Sequence, residues 1–485
     1  MDPIVKGVLM SITILLFTGF IFNYWKKKKF KSALLITLFL GLILRVVGAS
    51  SPYLHEWDER YHALVAKNLI EHPLTPTLQE NPVLEYDNQN WVGSNIWLAK
   101  PALPLWLMSG SIAIFGNELF AVRLPSIVLG LLAIWLTFLI ARRLFGEKTA
   151  VIASFFHAIH GLTIELIGGG VSSDHVENTF IVMVQLAIYF IVLQRKNINL
   201  QNTILAGLFM GLAFMSKWYP ALIVLPVGFV LLLGVHEIKF RQLILHLLLL
   251  SGIAVIVAFP WTYYMYDMHP KEMGAILSGA LSAYSNTVPS HDQVWYYYLN
   301  KLLVLFGEVF YLILGYAVYR LWKEKGSQKY DLLSLVLWIG IPLLIFSFAE
   351  TKRFTYLLIA SPATFILIAY FFVSIYNQNH TSKNLRYLRI FLLVLLPALA
   401  LRYTSERMKL FETPVIPKAV CYQMPDLEWE KLDENTIVFG TDDYVEIMFQ
   451  TDVYAAYRKV PSQQIIDSLK NEGFKVLIYK ELTFQ

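Results

Sequence analysis

The densest run of ionisable side chains in the chain is His55-Glu56-Trp57-Asp58-Glu59-Arg60-Tyr61-His62, set directly after an apolar stretch that ends near residue 50. Carboxylates, imidazoles and a guanidinium gathered just outside a membrane-length segment suit proton transfer and the binding of a charged or hydroxylated ligand. A solvated loop start is the plainer alternative. Asp58 and Glu59 are both candidate general bases. Neighbouring residues on a helix do not face each other, so the two cannot act there as one pair, and Glu59 either orients Asp58 or is itself the base.

Four cations stand apart at the ends of apolar runs: Lys100 in Trp97-Leu98-Ala99-Lys100-Pro101, Lys217 between two such runs, and the pair Lys352-Arg353. A cation at the membrane surface can meet a lipid phosphate, can snorkel past its own apolar stem, or can pair with a carboxylate such as Glu350 or Asp58. Asp174-His175 and Glu177 follow Gly168-Gly169-Gly170, where Asp174 is either a helix cap or a site residue. His55, His62 and His175 lie near acids, so a divalent metal stays open, although no tight ligand spacing appears and no cofactor is assigned. A single cysteine, Cys421, excludes an internal disulfide framework or a cysteine metal cluster.

The elements that hold these residues must live in a bilayer. The 485 residues are 56% hydrophobic and 15% charged, with mean hydropathy +0.53, more apolar surface than a water-soluble core can hide. A spanning helix needs about 20 apolar residues. Such stretches recur at 8–24, 33–50, 121–145, 149–167, 175–194, 202–217, 219–234, 242–260, 299–322, 331–349, 354–375 and 388–404. The first is followed by four lysines rather than a cleavage site and reads as a retained helix.

Lys26 to Lys31, Arg142, Arg143 and Lys148, Arg195 and Lys196, Lys239 and Arg241, Arg320 to Lys329, and Lys383 to Arg389 all fall on one side, which the positive-inside bias makes cytoplasmic. The other side receives two long loops, 51–120 and 261–298, and the tail from 405. All four outlying cations fall there, against the bias. The net charge of +5 belongs to the cytoplasmic loops and implies anionic membrane lipids as neighbours, not nucleic acid. A helix lying in the interface is expected after Lys100. In the tail, a strand over 436–439, a helix over 462–472 and a strand over 475–479 predict a small α/β appendage.

Taken together and in order, these pieces resemble the dolichyl-phosphate-mannose protein mannosyltransferase superfamily of GT-C membrane glycosyltransferases, especially the bacterial branch that includes lipid A aminoarabinose transferase. The likeness covers roughly residues 33–375 and rests on Asp58-Glu59-Arg60-Tyr61, Lys100-Pro101, Phe115-Gly116-Asn117-Glu118, Ala121-Val122-Arg123-Leu124-Pro125-Ser126, Ser173-Asp174, Gly207 to Gly211 leading to Lys217, His291 before Trp295, and Thr351-Lys352 with Tyr356. It implies Asp58 as the catalytic aspartate and Lys100, Lys217 and Lys352, with the adjoining Arg353, around a carrier phosphate. Arg60, Tyr61, Asp174, His175, His291 and Tyr356 become candidates for substrate binding. Three positions depart from the family: Ala99 replaces an acid before the Lys-Pro pair, which weakens a carried-over metal site, Ala102 replaces a proline, and Trp218 stands where glycine commonly follows the lysine.

The expectation is therefore an all-α polytopic membrane protein of GT-C type, with about twelve transmembrane helices, interfacial helices in the first long loop and a small C-terminal α/β domain. Residues 1–404 form the membrane transferase and 405–485 a soluble extracytoplasmic unit. In a bacterial inner membrane it would move a sugar from a polyprenyl-phosphate carrier to a lipid, glycan or protein acceptor, with inversion. A transporter or flippase for a charged lipid, or a non-catalytic scaffold, is the rival reading. A transporter would carry its polar residues near the bilayer midplane in repeated halves, and no half-repeat is visible.

Overall fold

The computed structural model describes residues 2–56, 58–86, 93–171, 174–195, 198–235, 238–285, 293–378, 382–412 and 432–479. Helix α1 (Pro3–Lys26) starts on the carboxylate of Asp2, which accepts from the amides of Ile4 and Val5, and has proline at its first position. Helix α2 (Phe30–Gly48) returns to the first long loop, which holds α3 (Asp58–Asn68) and α4 (Ala102–Phe115). Then come α5 (Leu119–Phe145), the pair α6 (Glu147–Ala158) and α7 (Gly161–Ile167) bent by 55°, α8 (Asp174–Leu193) and α9 (Leu200–Lys217). A tight turn of 3-10 helix, Tyr219–Ile223, leads into α10 (Val224–Leu233).

The second half begins with α11 (Phe240–Met268) and α12 (Pro270–Ser285). Helices α13 (Tyr297–Phe306) and α14 (Phe310–Lys323) meet at 98°, turning at Gly307, whose φ of 98° favours glycine. Helix α15 (Ser327–Phe348) precedes a 3-10 segment, Phe354–Ala360, that runs into α16 (Ser361–Asn377), and α17 (Lys383–Arg407) follows.

By length and apolarity, eight of the described helices can cross a membrane, or ten if each bent pair is one span. The expected spans at 202–217 and 219–234 are α9, whose ends carry Gln201, Asn202 and Lys217, and the short Tyr219–Leu233 segment. Burial sorts the bundle. The Phe354–Asn377 segment is 94% buried over its apolar window and forms the centre, whereas Lys383–Arg407 is 6% buried and faces outward. The N-terminal helix is tied in by Trp25, whose indole donates to the carbonyl of Lys148 at 2.9 Å.

Helices α9 and α11 pack closely because α9 offers glycine at a spacing of four. A Cβ on Gly207 would lie 2.6 Å from the Leu250 carbonyl oxygen, and one on Gly211 would lie 2.8 Å from that of Ala254. Small residues at this spacing let two membrane helices approach backbone to backbone. The approach fixes α9, and with it Lys217 at its last turn.

After α17 the chain forms a three-stranded parallel sheet of order β2-β1-β3: β1 (Thr436–Phe439), α18 (Tyr444–Gln450), β2 (Ala455–Tyr457), α19 (Gln463–Asn471) and β3 (Lys475–Ile478). Ile437 pairs with Ala455 on one side and Val476 on the other, and every residue of the central strand is buried. The two expected strands and the expected helix are present; α18 and β2 were not anticipated. This unit is seated on the first long loop. Arg60 pairs with Glu446 at 3.2 Å, the hydroxyls of Tyr61 and Tyr444 bond at 3.0 Å, and Lys67 donates to the carbonyls of Met448 and Thr451 at the end of α18.

Filling the α9–α11 contact tests this account. Gly211→Leu is expected to destabilise the protein by about 1–3 kcal/mol, the usual cost of overpacking, seen as a lower melting temperature in detergent; an unchanged melt would mean the two helices can part freely.

Candidate active site

Helix α3 begins with two carboxylates that go opposite ways. Adjacent residues on a helix diverge by about 100°, so Glu59 enters the protein while Asp58 lines a cavity. Glu59 is fully buried and meets Arg123 of α5 through both oxygens, at 2.7 and 3.0 Å. The same guanidinium donates to the carbonyls of Ala49, Ser51 and Tyr53 at 3.0, 2.6 and 2.7 Å. The amide of His55 donates to Glu59 at 2.7 Å, and His175 approaches it at 3.4 Å while its other ring nitrogen meets the Ser126 hydroxyl at 2.7 Å. Gly169, at φ 78°, leaves room: a Cβ there would come within 2.2 Å of the Glu59 carboxyl carbon.

Burial alone would raise the Glu59 pKa, but Arg123 and the His175 hydrogen bond outweigh it and hold the carboxyl well below its ordinary range. A carboxylate so saturated has little room to take a further proton donor. Of the two roles expected for Glu59, its position fits the orienting one, and His175 belongs to the same network rather than to the cavity lining. Arg60 and Tyr61, expected as substrate residues, instead meet Glu446 and Tyr444 of α18 and do not line the cavity.

The cavity, about 420 Å³, lies among helix ends. Asp58, Lys100, Lys217, Arg353 and Tyr356 all line it, so five of the twelve residues singled out from sequence converge there. Lys100 meets Asp58 at 3.2 Å. Lys217 pairs with the buried Glu177 and sits 4.8 Å from the Tyr356 ring centroid, an arrangement in which the aromatic face adds to the attraction. Ile96, Leu98 and Phe346 supply apolar wall.

Lys352 lies apart from the other expected cations. Its ammonium donates to the carbonyl of Ala349 and is absent from the lining, whereas Arg353, expected beside it, is part of the lining. The side chain of Asp174 and the whole of His291 lie outside the described residues. Among the described residues no three His, Cys, Asp or Glu side chains gather as a metal set.

Sequence reasoning quoted Arg123 only as part of a motif and gave Glu59 no partner. An arginine inside an otherwise apolar span is the signal that would have drawn attention to it. Arg123→Leu is expected to destabilise by about 3–5 kcal/mol, because it leaves Glu59 buried without a cation, and Arg123→Leu with Glu59→Leu should recover much of that. Since the Glu59 pKa is depressed in the folded protein, its contribution is complete above its ordinary value of 4.5 and fades as pH falls toward the folded value. Melting curves between pH 3 and pH 7 should therefore show an acid-side loss in the wild type that is smaller in the double variant.

Residues 99–264 match the family model described as dolichyl-phosphate-mannose-protein mannosyltransferase. An undecaprenyl phosphate-alpha-4-amino-4-deoxy-L-arabinose arabinosyl transferase 2 of Pseudomonas fluorescens strain Pf0-1 is 26% identical over 340 residues, 68% of this chain and 57% of the relative, so the chain spans little more than half the length of that relative. Among solved structures, ArnT from Cupriavidus metallidurans bound to undecaprenyl phosphate superposes with a TM-score of 0.64 at 16% identity, covering 92% of this chain and 89% of that one. The archaeal oligosaccharyltransferase AglB from Archaeoglobus fulgidus, in complex with an inhibitory peptide and a dolichol-phosphate, gives 0.59 at 16% identity, covering 90% and 65%. The chain is accordingly a polytopic membrane protein of GT-C fold that resembles the dolichyl-phosphate-mannose-protein mannosyltransferases and the bacterial aminoarabinose transferases.

Proposed function

We propose that this protein transfers a sugar from a polyprenyl-phosphate carrier, undecaprenyl phosphate in a bacterium, to a lipid, glycan or protein hydroxyl on the extracytoplasmic face of the membrane. One observation carries the reading: a carboxylate, Asp58, shares a cavity with Lys100, Lys217 and Arg353 at the membrane-helix ends. The names of the relatives support the carrier chemistry.

A sugar phosphodiester leaves as a phosphate whose conjugate acid is strong, so the departing group needs cations more than a proton. Lys217 and Arg353, with Lys100, supply them. The acceptor hydroxyl is a weak nucleophile and needs its proton removed, the role of Asp58. The acceptor oxygen then forms a bond to the anomeric carbon as the carbon–phosphate-oxygen bond breaks, and polyprenyl phosphate departs. The Asp58–Lys100 pair must open for this, so Lys100 exchanges the carboxylate for phosphate oxygen as the donor arrives.

Orientation follows from charge. The connections bearing Lys26 to Lys31, Arg142, Arg143 and Lys148, and Arg320 to Lys325 belong to the cytoplasm by the positive-inside bias, which assigns the cavity and the tail after residue 405 to the other face. Residues 1–404 are then the catalytic membrane unit and 405–485 a small extracytoplasmic one.

The test is purified protein with a panel of polyprenyl-phosphate sugars, scored by release of polyprenyl phosphate. Asp58→Asn should lower turnover by about two to four orders of magnitude without changing the melting temperature. Near-normal turnover in that variant removes Asp58 from the base role; no release from any donor by the wild type removes the transferase reading.

Single displacement with one base also fixes stereochemistry, because a retaining route needs a second, nucleophilic carboxylate about 5 Å from the first across the sugar. The product is expected to have the opposite anomeric configuration to the donor, read from the one-bond C1–H1 coupling. Retention, or a trapped glycosyl-enzyme adduct, would overturn the single displacement while sparing the transferase.

A further inference from the structure

Helix α12 presents one face to the cavity: Glu272, Ala275, Ile276 and Gly279, spaced three, four and seven residues from the first, all line it. This wall differs from the cationic one. Glu272 is 8% exposed, so it is nine-tenths buried, and its partner is the hydroxyl of Tyr86, which donates to it at 3.4 Å. Asp58 and Glu177 each meet an ammonium, whereas no cation lies within ion-pair distance of Glu272 among the described residues. A carboxylate has about four acceptor positions, and one long hydrogen bond leaves most of them unfilled.

The second oxygen of Glu272 is not among the buried polar atoms that lack a partner, so it opens to the cavity, where a donor group can replace water. The partner must come through the cavity that Glu272 lines. Beside it α12 carries small side chains, and a Cβ placed on Gly279 would meet nothing within 4 Å, so a ring-sized group has space against this face.

We propose that Glu272 is the sugar-recognising residue of the site, accepting hydrogen bonds from the hydroxyl or amino groups of the transferred sugar while the carrier phosphate rests on the cations opposite. This rests on the transferase reading above. Division of labour follows from chemistry: cations hold the one anionic group of the donor, and the carboxylate, which can only accept, takes groups that can donate. Paired hydroxyls and an ammonium share that donor character, and Glu272 serves either.

The experiment separates carrier from sugar. Binding of bare polyprenyl phosphate and of a polyprenyl-phosphate sugar, together with turnover, is measured for the wild type, Glu272→Gln, Gly279→Leu and Lys217→Met. Glu272→Gln keeps the shape of the side chain and loses its charge and one acceptor. It is expected to bind bare carrier within about twofold of the wild type and to lose roughly tenfold or more in kcat/KM for the sugar-bearing donor, the scale of a charged hydrogen bond. Gly279→Leu, which fills the space beside it, should show the same selective loss. Lys217→Met should weaken both ligands alike.

A parallel pair of donors, one with an amino sugar and one with a neutral sugar, identifies the group read: a larger loss for the amino donor marks an ammonium, and an equal loss marks hydroxyls. Unchanged donor kinetics in Glu272→Gln, or an equal loss for bare carrier and sugar-bearing donor, would overturn the assignment. If the wild type releases polyprenyl phosphate, either result condemns Glu272 alone; if it releases none, the transferase reading fails first.

Discussion

The arrangement of the site depends on one buried ion pair. Arg123 reaches from a membrane-length helix to both oxygens of Glu59 and to three carbonyls of the connection before it, at Ala49, Ser51 and Tyr53. Those carbonyls belong to backbone leaving α2, where no regular ladder serves them. A single guanidinium therefore ends one helix, seats the next and neutralises the carboxylate that begins it. Because Glu59 is held inward, Asp58 has no choice but the cavity. Helix α18 of the C-terminal unit braces α3 from its remaining face through Arg60, Tyr61 and Lys67.

Why the chemistry gathers at helix ends follows from the same constraint. Inside the bilayer a polar side chain must be satisfied by protein, so a reactive constellation that must also admit ligand is cheapest where the helices stop. The cavity uses the beginning of α3, the end of α9, one face of α12 and the stretch after α15. Lys100 and Lys217 are balanced by Asp58 and Glu177. Such pairs keep the cations from being buried alone, and they also set a threshold: an incoming phosphate has to be a better partner than a carboxylate. Polar groups at one end of the bundle, with no counterpart repeat, fit a surface reaction better than a carrier pathway through the midplane.

Much of this was legible in the residues. Density of charge after an apolar run pointed to Asp58, and cations placed against the positive-inside bias pointed to Lys100, Lys217 and the Lys352-Arg353 pair. What sequence could not tell was which of two neighbours turns inward. Between α15 and the following 3-10 segment the chain is extended at Ala349 and at Arg353, and in extended backbone successive side chains point to opposite sides. Arg353 thus meets the cavity and Lys352 turns back on Ala349. Arg60 and Tyr61 were misread for another reason: their partners, Glu446 and Tyr444, lie more than 380 residues away in the chain, a pairing that no local spacing reveals. Glu272 went unnoticed because a lone carboxylate in a long loop is ordinarily a solvated residue, and only the helix face with Ala275, Ile276 and Gly279 shows otherwise.

The residue after Lys217 illustrates how the site trades stability for shape. Trp218 adopts φ 59° and ψ −137°, a conformation glycine accepts freely and a bulky side chain resists at a cost of about 1–3 kcal/mol. The strain has a clear use. It stops α9 with the Trp218 amide still bonded to Phe214 at 2.7 Å and lets the 3-10 turn at Tyr219 begin at once, so that Lys217 is left at the tip of the reversal. Glycine would make the same turn, but it would leave the wall open. The indole instead lines the cavity, stacks on Trp261 with centroids 6.3 Å apart, and meets Phe214 edge-on at 5.6 Å. Aromatic pairs of this kind contribute about 0.5–1.5 kcal/mol each beyond their buried area. Two of them offset the backbone strain, and the tryptophan closes the side of the cavity next to the lysine.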